Sequence, residues 1–232
     1  MRPAELIDIR ALPLFQAMSE ENFAASMQPA FFQRFPAHVE LIAEGEPADF
    51  LHVVVDGLVE LYARHDGRET TLDILRPVTT FILAAAIRDE PYLKSARTLT
   101  KARVLMIPAP IVRDAFGRDT AFARAIVNEL AERYRGIVRA LKNEKLRTGP
   151  ERLANWILQE QAQQGHTHDV TLAIEKRTLA SRLGMTPENL SRNLAQLGRH
   201  GVRSMGHRLV IDDDDALRRF AKPNALIDES AR

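Results

Sequence analysis

The apolar positions of the chain follow two different rhythms. Up to about residue 118 they come in short aliphatic or β-branched runs: Glu40–Ile42, Leu51–Val55, Leu58–Ala63 and Thr70–Leu75. Gly45-Glu46-Pro47, Asp56-Gly57 and Asp66-Gly67 punctuate them, and Arg97–Pro108 adds one or two more. Asp-Gly between apolar runs is a strong hairpin signal, because both turn positions tolerate positive φ. Two such pairs predict a β meander, and strands this short and closely spaced predict a small barrel or jelly roll. Two short helices precede it, Ala4–Arg10 and Ser19–Met27, the second with Ser19 as N-cap and Glu20-Glu21 in the first turn.

From Thr120 to about Leu146 the period becomes helical. Phe122, Ile126, Leu130, Tyr134, Ile137 and Leu141 recur at steps of four and three. A helix of this length outruns a small barrel, and its stripe suits the seam of a two-stranded coiled coil better than packing on its own barrel alone. Arg147-Thr148-Gly149-Pro150 breaks it, and Pro150 suits the start of a new helix, Pro150–Gln164.

The next segment carries the chemistry. Thr178–Leu183 reads as a helix, Leu183-Gly184-Met185-Thr186 as a turn, and Thr186-Pro187-Glu188 as a strong start for a second helix reaching about Gly198. Two short helices about a Gly-containing turn form a helix-turn-helix. Ala180 is small where helices cross, and Leu179, Leu183, Leu190, Leu194 and Leu197 supply the buried side. Glu188, Ser191, Arg192 and Gln196 share another face near the second helix's N-terminus, where a recognition helix meets base edges. Arg can donate twice to guanine, Glu can accept from cytosine, and Ser suits either base type. The hairpin Gly201–Ile211 would form a wing, bringing Arg203, His207 or Arg208 near phosphate.

Composition narrows the classes. The 232 residues have a net charge of only +1, so nothing is globally basic. Locally, Lys176, Arg177, Arg182, Arg192, Arg199, Arg203 and Arg208 stand against only Glu175 and Glu188, just before the acidic run Asp212–Asp215. A local basic island beside an acidic patch is compatible with one face meeting phosphate, and on charge alone equally with a solvated surface of uneven charge. The chain has no cysteine, which excludes disulfides, thiolate-held iron–sulfur clusters and cysteine nucleophiles. Neither a secretory signal nor a membrane span is readable, so a cytoplasmic protein with no membrane partner is expected. Walker, Gly-x-Gly-x-x-Gly and Gly-x-Ser-x-Gly motifs are absent, and no catalytic constellation points to an enzyme. His166-x-His168, in a polar loop with only Asp169 near, makes a poor metal pair.

Over nearly its whole length the sequence resembles the bacterial CRP/FNR superfamily of transcription regulators. The resemblance rests on Leu12-Pro13-Leu14-Phe15, the run Gly45-Glu46-Pro47-Ala48-Asp49-Phe50-Leu51-His52-Val53-Val54-Val55-Asp56-Gly57, the long helix and the winged helix-turn-helix. It implies an α+β chain: a cyclic-nucleotide-binding-like β-roll over residues 1–118, a dimerisation helix over 119–147 and a winged helix-turn-helix over 148–232. Thr186-Pro187-Glu188-Asn189-Leu190-Ser191-Arg192 carries the Glu-x-x-Ser-Arg pattern of the FNR branch, which implies a palindrome of TTGAT-type half-sites on double-stranded DNA. Glu188, Ser191 and Arg192 then read bases, while Thr178, Thr186, Arg203, His207 and Arg208 are backbone candidates. A homodimer and RNA polymerase are the implied protein partners.

The sequence departs from the family at the effector. Cyclic-AMP binders carry Phe-Gly-Glu and a later Arg-Ser; here stand Phe81-Ile82-Leu83 and Lys94-Ser95. With ribose carboxylate and phosphate guanidinium both missing, cyclic nucleotide is not the expected ligand, and Lys94 is only a point charge. Phe81, Leu83, Lys94 and Ser95 would line a pocket for a small apolar or aromatic effector. Haem responding to nitric oxide also stays open, held by one of His38, His52, His65, His166, His168, His200 and His207. The alternative from another class is a ligand-binding regulatory module acting through protein contacts without DNA.

Overall fold

The computed structural model describes residues 3–228. It divides into two compact units, residues 1–133 and 134–232. The division falls inside the long helix, whereas the boundaries at 118 and 147 read from the sequence follow helix ends.

The first unit opens with α1 (Pro3–Arg10) and α2 (Glu20–Met27), then builds eight strands. These are β1 (Phe31–Phe35), β2 (Glu40–Ile42), β3 (Phe50–Asp56), β4 (Val59–His65), β5 (Arg68–Leu75), β6 (Thr79–Phe81), β7 (Ser95–Thr98) and β8 (Ala102–Pro108). Helix α3 (Leu83–Arg88) interrupts them, and α4 (Ala109–Arg118) and α5 (Thr120–Leu146) follow. Two four-stranded antiparallel sheets result, in the orders β1-β8-β3-β6 and β2-β7-β4-β5.

The central strands β3 and β8 of the first sheet are buried on both faces. On β3 and β8, Val54, Ala102 and Val104 point into the core between the sheets with Val59, Leu61, Phe81 and Ala96. Leu51, Val53, Leu105 and Ile107 point the other way, against α1, α2, α4 and the start of α5. That is why both strands read as largely apolar runs, interrupted by His52 on β3 and Arg103 on β8. The outer face of the second sheet is closed by charge. Glu60 is buried, accepting from Thr71 Oγ1 at 2.5 Å and Arg97 Nε at 2.7 Å. The guanidinium groups of Arg64 and Arg97 lie over the Tyr62 ring, at 4.9 and 4.4 Å from its centroid.

Of the two predicted Asp-Gly hairpins, one forms. Asp66 and Gly67, both at positive φ, join β4 to β5, with His65 opposite Arg68. Asp56-Gly57 instead carries the chain from one sheet to the other, since β3 and β4 are not paired. Gly57, at φ 85°, is required there: a Cβ would stand 2.3 Å from the Lys101 carbonyl oxygen and 2.7 Å from Ala102 Cα.

The second unit contains α6 (Gly149–Gln163), β9 (Asp169–Thr171), α7 (Lys176–Arg182), α8 (Pro187–Leu197) and a single 3-10 turn (Gly198–His200). Strands β10 (Val202–Met205) and β11 (Arg208–Ile211) come next, then α9 (Asp214–Ala221) and α10 (Ala225–Asp228). Its sheet has the order β10-β11-β9. Leu153, Ile157, Leu179, Ala180, Leu190, Leu197, Leu209 and Leu217 make one core. No described helix is long and apolar enough to cross a membrane.

Candidate functional site

The helix-turn-helix is built from local signals. Helix α7 is capped by Leu183, Gly184 takes the left-handed conformation at φ 63°, and Met185 N–H returns to the Ala180 carbonyl at 3.0 Å. Thr186 Oγ1 accepts from Asn189 N–H and starts α8, with Pro187 at its first position. Leu190, Leu194 and Leu197 are buried, which fixes the opposite face outward. Glu188, Ser191, Arg192 and Gln196 are all exposed on that face.

Their electrostatics suit base edges. The Glu188 carboxyl is held below the usual carboxylate range by its own N–H, then the Thr186 hydroxyl and the Arg192 charge. Ser191 Oγ donates to the Pro187 carbonyl at 3.1 Å, leaving its lone pairs outward. The backbone candidates divide. Thr178 is half-buried inside α7, and the Thr186 hydroxyl serves as the cap. Arg203 is already paired through its fork with Asp212, including an Nη2–Oδ1 bond of 2.7 Å. Arg208 Nη1 lies 3.9 Å from Asp169, and His207 is exposed beside Gly206 at the tip of the β10–β11 wing. One connection went unread in the sequence: Lys176 Nζ donates to Ser204 Oγ at 3.1 Å, tying α7 to the wing.

The expected dimer seam splits in two. Phe122 and Ile126 are not seam residues in this chain: both lie in the core of the first unit, Phe122 stacked on Phe15 with centroids 6.0 Å apart. Leu130 packs partly against that core. Tyr134, Ile137 and Leu141 remain exposed, at 68%, 67% and 52% of their surface, with Val127 and Val138 beside them. The cause is the start of α5, where Asp119 accepts from Phe122 N–H, Ser19 N–H and Asn22 Nδ2 and pins the first turns beneath α2. Those bonds hold the Asp119 carboxyl far below the ordinary range.

The residues read as an effector pocket are distributed within the barrel. Phe81 and Leu83 are buried, in different cores. Ser95 Oγ accepts from Glu44 N–H at 2.9 Å, so it serves the β2–β3 loop. Burial lowers the Lys94 pKa, an effect that the Arg133 charge reinforces and the Asp73 carboxylate opposes. Nearby, Arg133 Nη2 donates to Thr80 O at 2.8 Å and pairs with Glu129 at 3.1 Å, while Thr80 Oγ1 donates to Glu129 at 2.8 Å, clamping α5 to β6. Of the seven histidines only His52 is buried; it stacks on Phe81 with centroids 4.9 Å apart, and its Nδ1 has no partner. Burial pushes its pKa down to about 4. Among the described residues, no group of three His, Asp or Glu is placed to hold a metal.

A β-roll, a long helix and a winged helix-turn-helix define a DNA-binding transcription regulator. Comparison with known proteins agrees. The cyclic nucleotide-binding domain family matches residues 32–119, and the Crp-like helix-turn-helix domain family matches residues 151–220. The chain is 27% identical over 215 residues to the CRP-like cAMP-activated global transcriptional regulator of Mycobacterium tuberculosis, covering 90% of this chain and 96% of that one. It is 28% identical over 208 residues to the nitrogen fixation regulation protein FixK of Azorhizobium caulinodans, covering 85% and 80%. Its fold matches the structure of FixK2 from Bradyrhizobium japonicum with a TM-score of 0.71, at 23% identity over 88% of this chain and 99% of that one. The chain belongs to the CRP/FNR superfamily of transcription regulators.

Proposed function

We propose that the protein acts as a homodimer on a palindrome of TTGAT-type half-sites, gated by an effector in the β-roll. The observation that carries this is the exposed face of α8, with Glu188, Ser191 and Arg192 in its first turns and the acid and guanidinium one helical turn apart. In this reading Arg192 donates to guanine O6 and N7, and Glu188 accepts from the paired cytosine. Tyr134, Ile137 and Leu141 supply the seam to a second copy, so that the two recognition helices meet half-sites about 34 Å apart. RNA polymerase is the further partner that a regulator of this kind would engage.

The effector is a small apolar or aromatic molecule rather than a cyclic nucleotide. The segment Phe81–Ile87 holds no carboxylate for a ribose, and Lys94 is a half-buried point charge instead of a guanidinium fork. The partnerless Nδ1 of His52 supports haem as the second reading. A visible absorption spectrum of protein from haem-supplied cells separates them, a Soret band favouring haem.

The test of the DNA assignment is a half-site substitution series at fixed salt. Arg192→Ala should remove about 1–3 kcal/mol of discrimination at the guanine position. Glu188→Ala should relax the same base pair, while raising non-specific affinity by removing a negative charge near the backbone. Equal loss of affinity for every sequence on Arg192→Ala would make Arg192 a phosphate contact and sink the FNR-type reading.

A further inference from the structure

The junction between α5 and α6 is held by side chains that play no part in reading bases. Arg152, in the first turn of α6, reaches four backbone carbonyls. Its Nε donates to Leu183 O at 2.9 Å and its Nη1 to Arg147 O at 2.9 Å; Nη1 also reaches Glu144 O at 3.5 Å, and Nη2 reaches Gly184 O at 3.4 Å. Two of these carbonyls close α5, which ends at Leu146, and two belong to the turn after α7, which ends at Arg182. The last carbonyls of a helix have no partner within it and carry its negative dipole end, so a guanidinium is favoured there. One side chain thereby ties the end of the long helix to the turn that aims α8.

A second tie works from the C-terminal side. Arg147 Nη1 and Nη2 donate to Asp228 Oδ1 and Oδ2, both at 2.6 Å, and Nη1 also bonds Asn143 Oδ1 at 3.0 Å. The two side chains of this pair are only 7% and 14% exposed. Asp228 is itself held, its Oδ2 accepting from Asn224 N–H at 2.6 Å and its carbonyl from Gln159 Nε2 at 3.4 Å. Lys142 Nζ donates to Leu226 O at 3.3 Å. Helix α10 therefore bridges the last turns of α5 to α6. Fork-to-carboxylate bonding fixes geometry as well as adding energy, and a lysine could not reproduce it.

We infer that Arg152, Arg147 and Asp228 form a splint that fixes the direction of the recognition helix relative to the last turns of α5. Arg152 is a positioning residue, acting on DNA only through α8. The DNA arm of this inference rests on the half-site reading above; its structural arm does not.

The structural arm is amide hydrogen exchange on the full chain, which reports local opening. In R152Q, amides 145–149 and 183–186 should exchange at least threefold faster than in the unaltered protein. In D228N, amides 143–149 should do the same, and the double exchange R147D/D228R should restore protection. Amides in the buried part of α6 and in the β-roll should be unchanged in all variants. Smaller effects, or acceleration spread evenly over the whole DNA-binding unit, overturn the splint. The second arm is binding to a TTGAT palindrome and to a scrambled duplex. R152Q should lose at least tenfold on the palindrome and little on the scrambled duplex. Faster local exchange with undiminished preference for the palindrome would overturn the positioning role. An unaltered protein that shows no preference at all would instead fail the half-site reading, leaving the splint to be decided by exchange.

Discussion

At the scale of single residues, His52 carries the clearest consequence. Its imidazole is buried, stacked on Phe81, and disfavours a proton down to about pH 4, against an ordinary 6.5. The unfolded chain therefore binds more protons than the folded one between those values. Stability from this group is complete above pH 6.5, is lost as pH falls, and levels off below about 4, for a total of about 3 kcal/mol. Urea unfolding at a series of pH values checks it. Relative to His52→Phe, the unaltered protein should lose up to about 1.4 kcal/mol per pH unit in that window. Parallel curves for the two proteins would mean that His52 protonates freely in the folded state.

At the scale of elements, α5 is one helix with two environments. Its first turns complete the core of the first unit and its later turns leave an apolar stripe exposed. Phe122→Ala should therefore cost about 3–5 kcal/mol of stability in the first unit. Ile137→Glu with Leu141→Glu should leave that stability unchanged and convert a dimer to monomer in sedimentation, because charge would be buried at the seam. Dissociation without destabilisation on Phe122→Ala would reverse this assignment. Periodicity placed the helix and its stripe, since an apolar step of three or four depends on local geometry alone. It could not say which half meets its own chain, because that depends on Asp119 and α2 from distant sequence. The helix-turn-helix was legible almost to the residue, from a cap, a proline, a turn glycine and leucine spacing. Asp56-Gly57 was misread for the converse reason: the dipeptide specifies positive φ but not which strand follows as a neighbour. The Arg152 and Asp228 ties were invisible, since bonds from a side chain to carbonyls many residues away leave no pattern in sequence.

At the scale of the whole molecule, the two units share a long helix but are held together internally by different means. The first unit closes one sheet face with apolar packing and another with the Glu60–Arg97–Tyr62 lattice. The second unit has a compact apolar core, flanked by the largely buried Arg147–Asp228 pair. Net charge hides this arrangement, since the basic island of the recognition region and the acidic run Asp212–Asp215 nearly cancel.

That cancellation has a thermodynamic side. The pairing of Arg203 with Asp212 makes the carboxylate an internal counterion for the wing. If a phosphate took the guanidinium, Asp212 would have to recruit a cation from solution, offsetting the ion released from the duplex. The wing should thus add little to the slope of log K against log[salt], well under the roughly 0.9 expected for a free cation at a phosphate. Asp212→Asn should steepen that slope by up to about 1 and tighten non-specific binding most at low salt. An unchanged slope would mean that Arg203 reaches no phosphate even when its carboxylate partner is gone, and that the wing adds nothing to the electrostatics of binding.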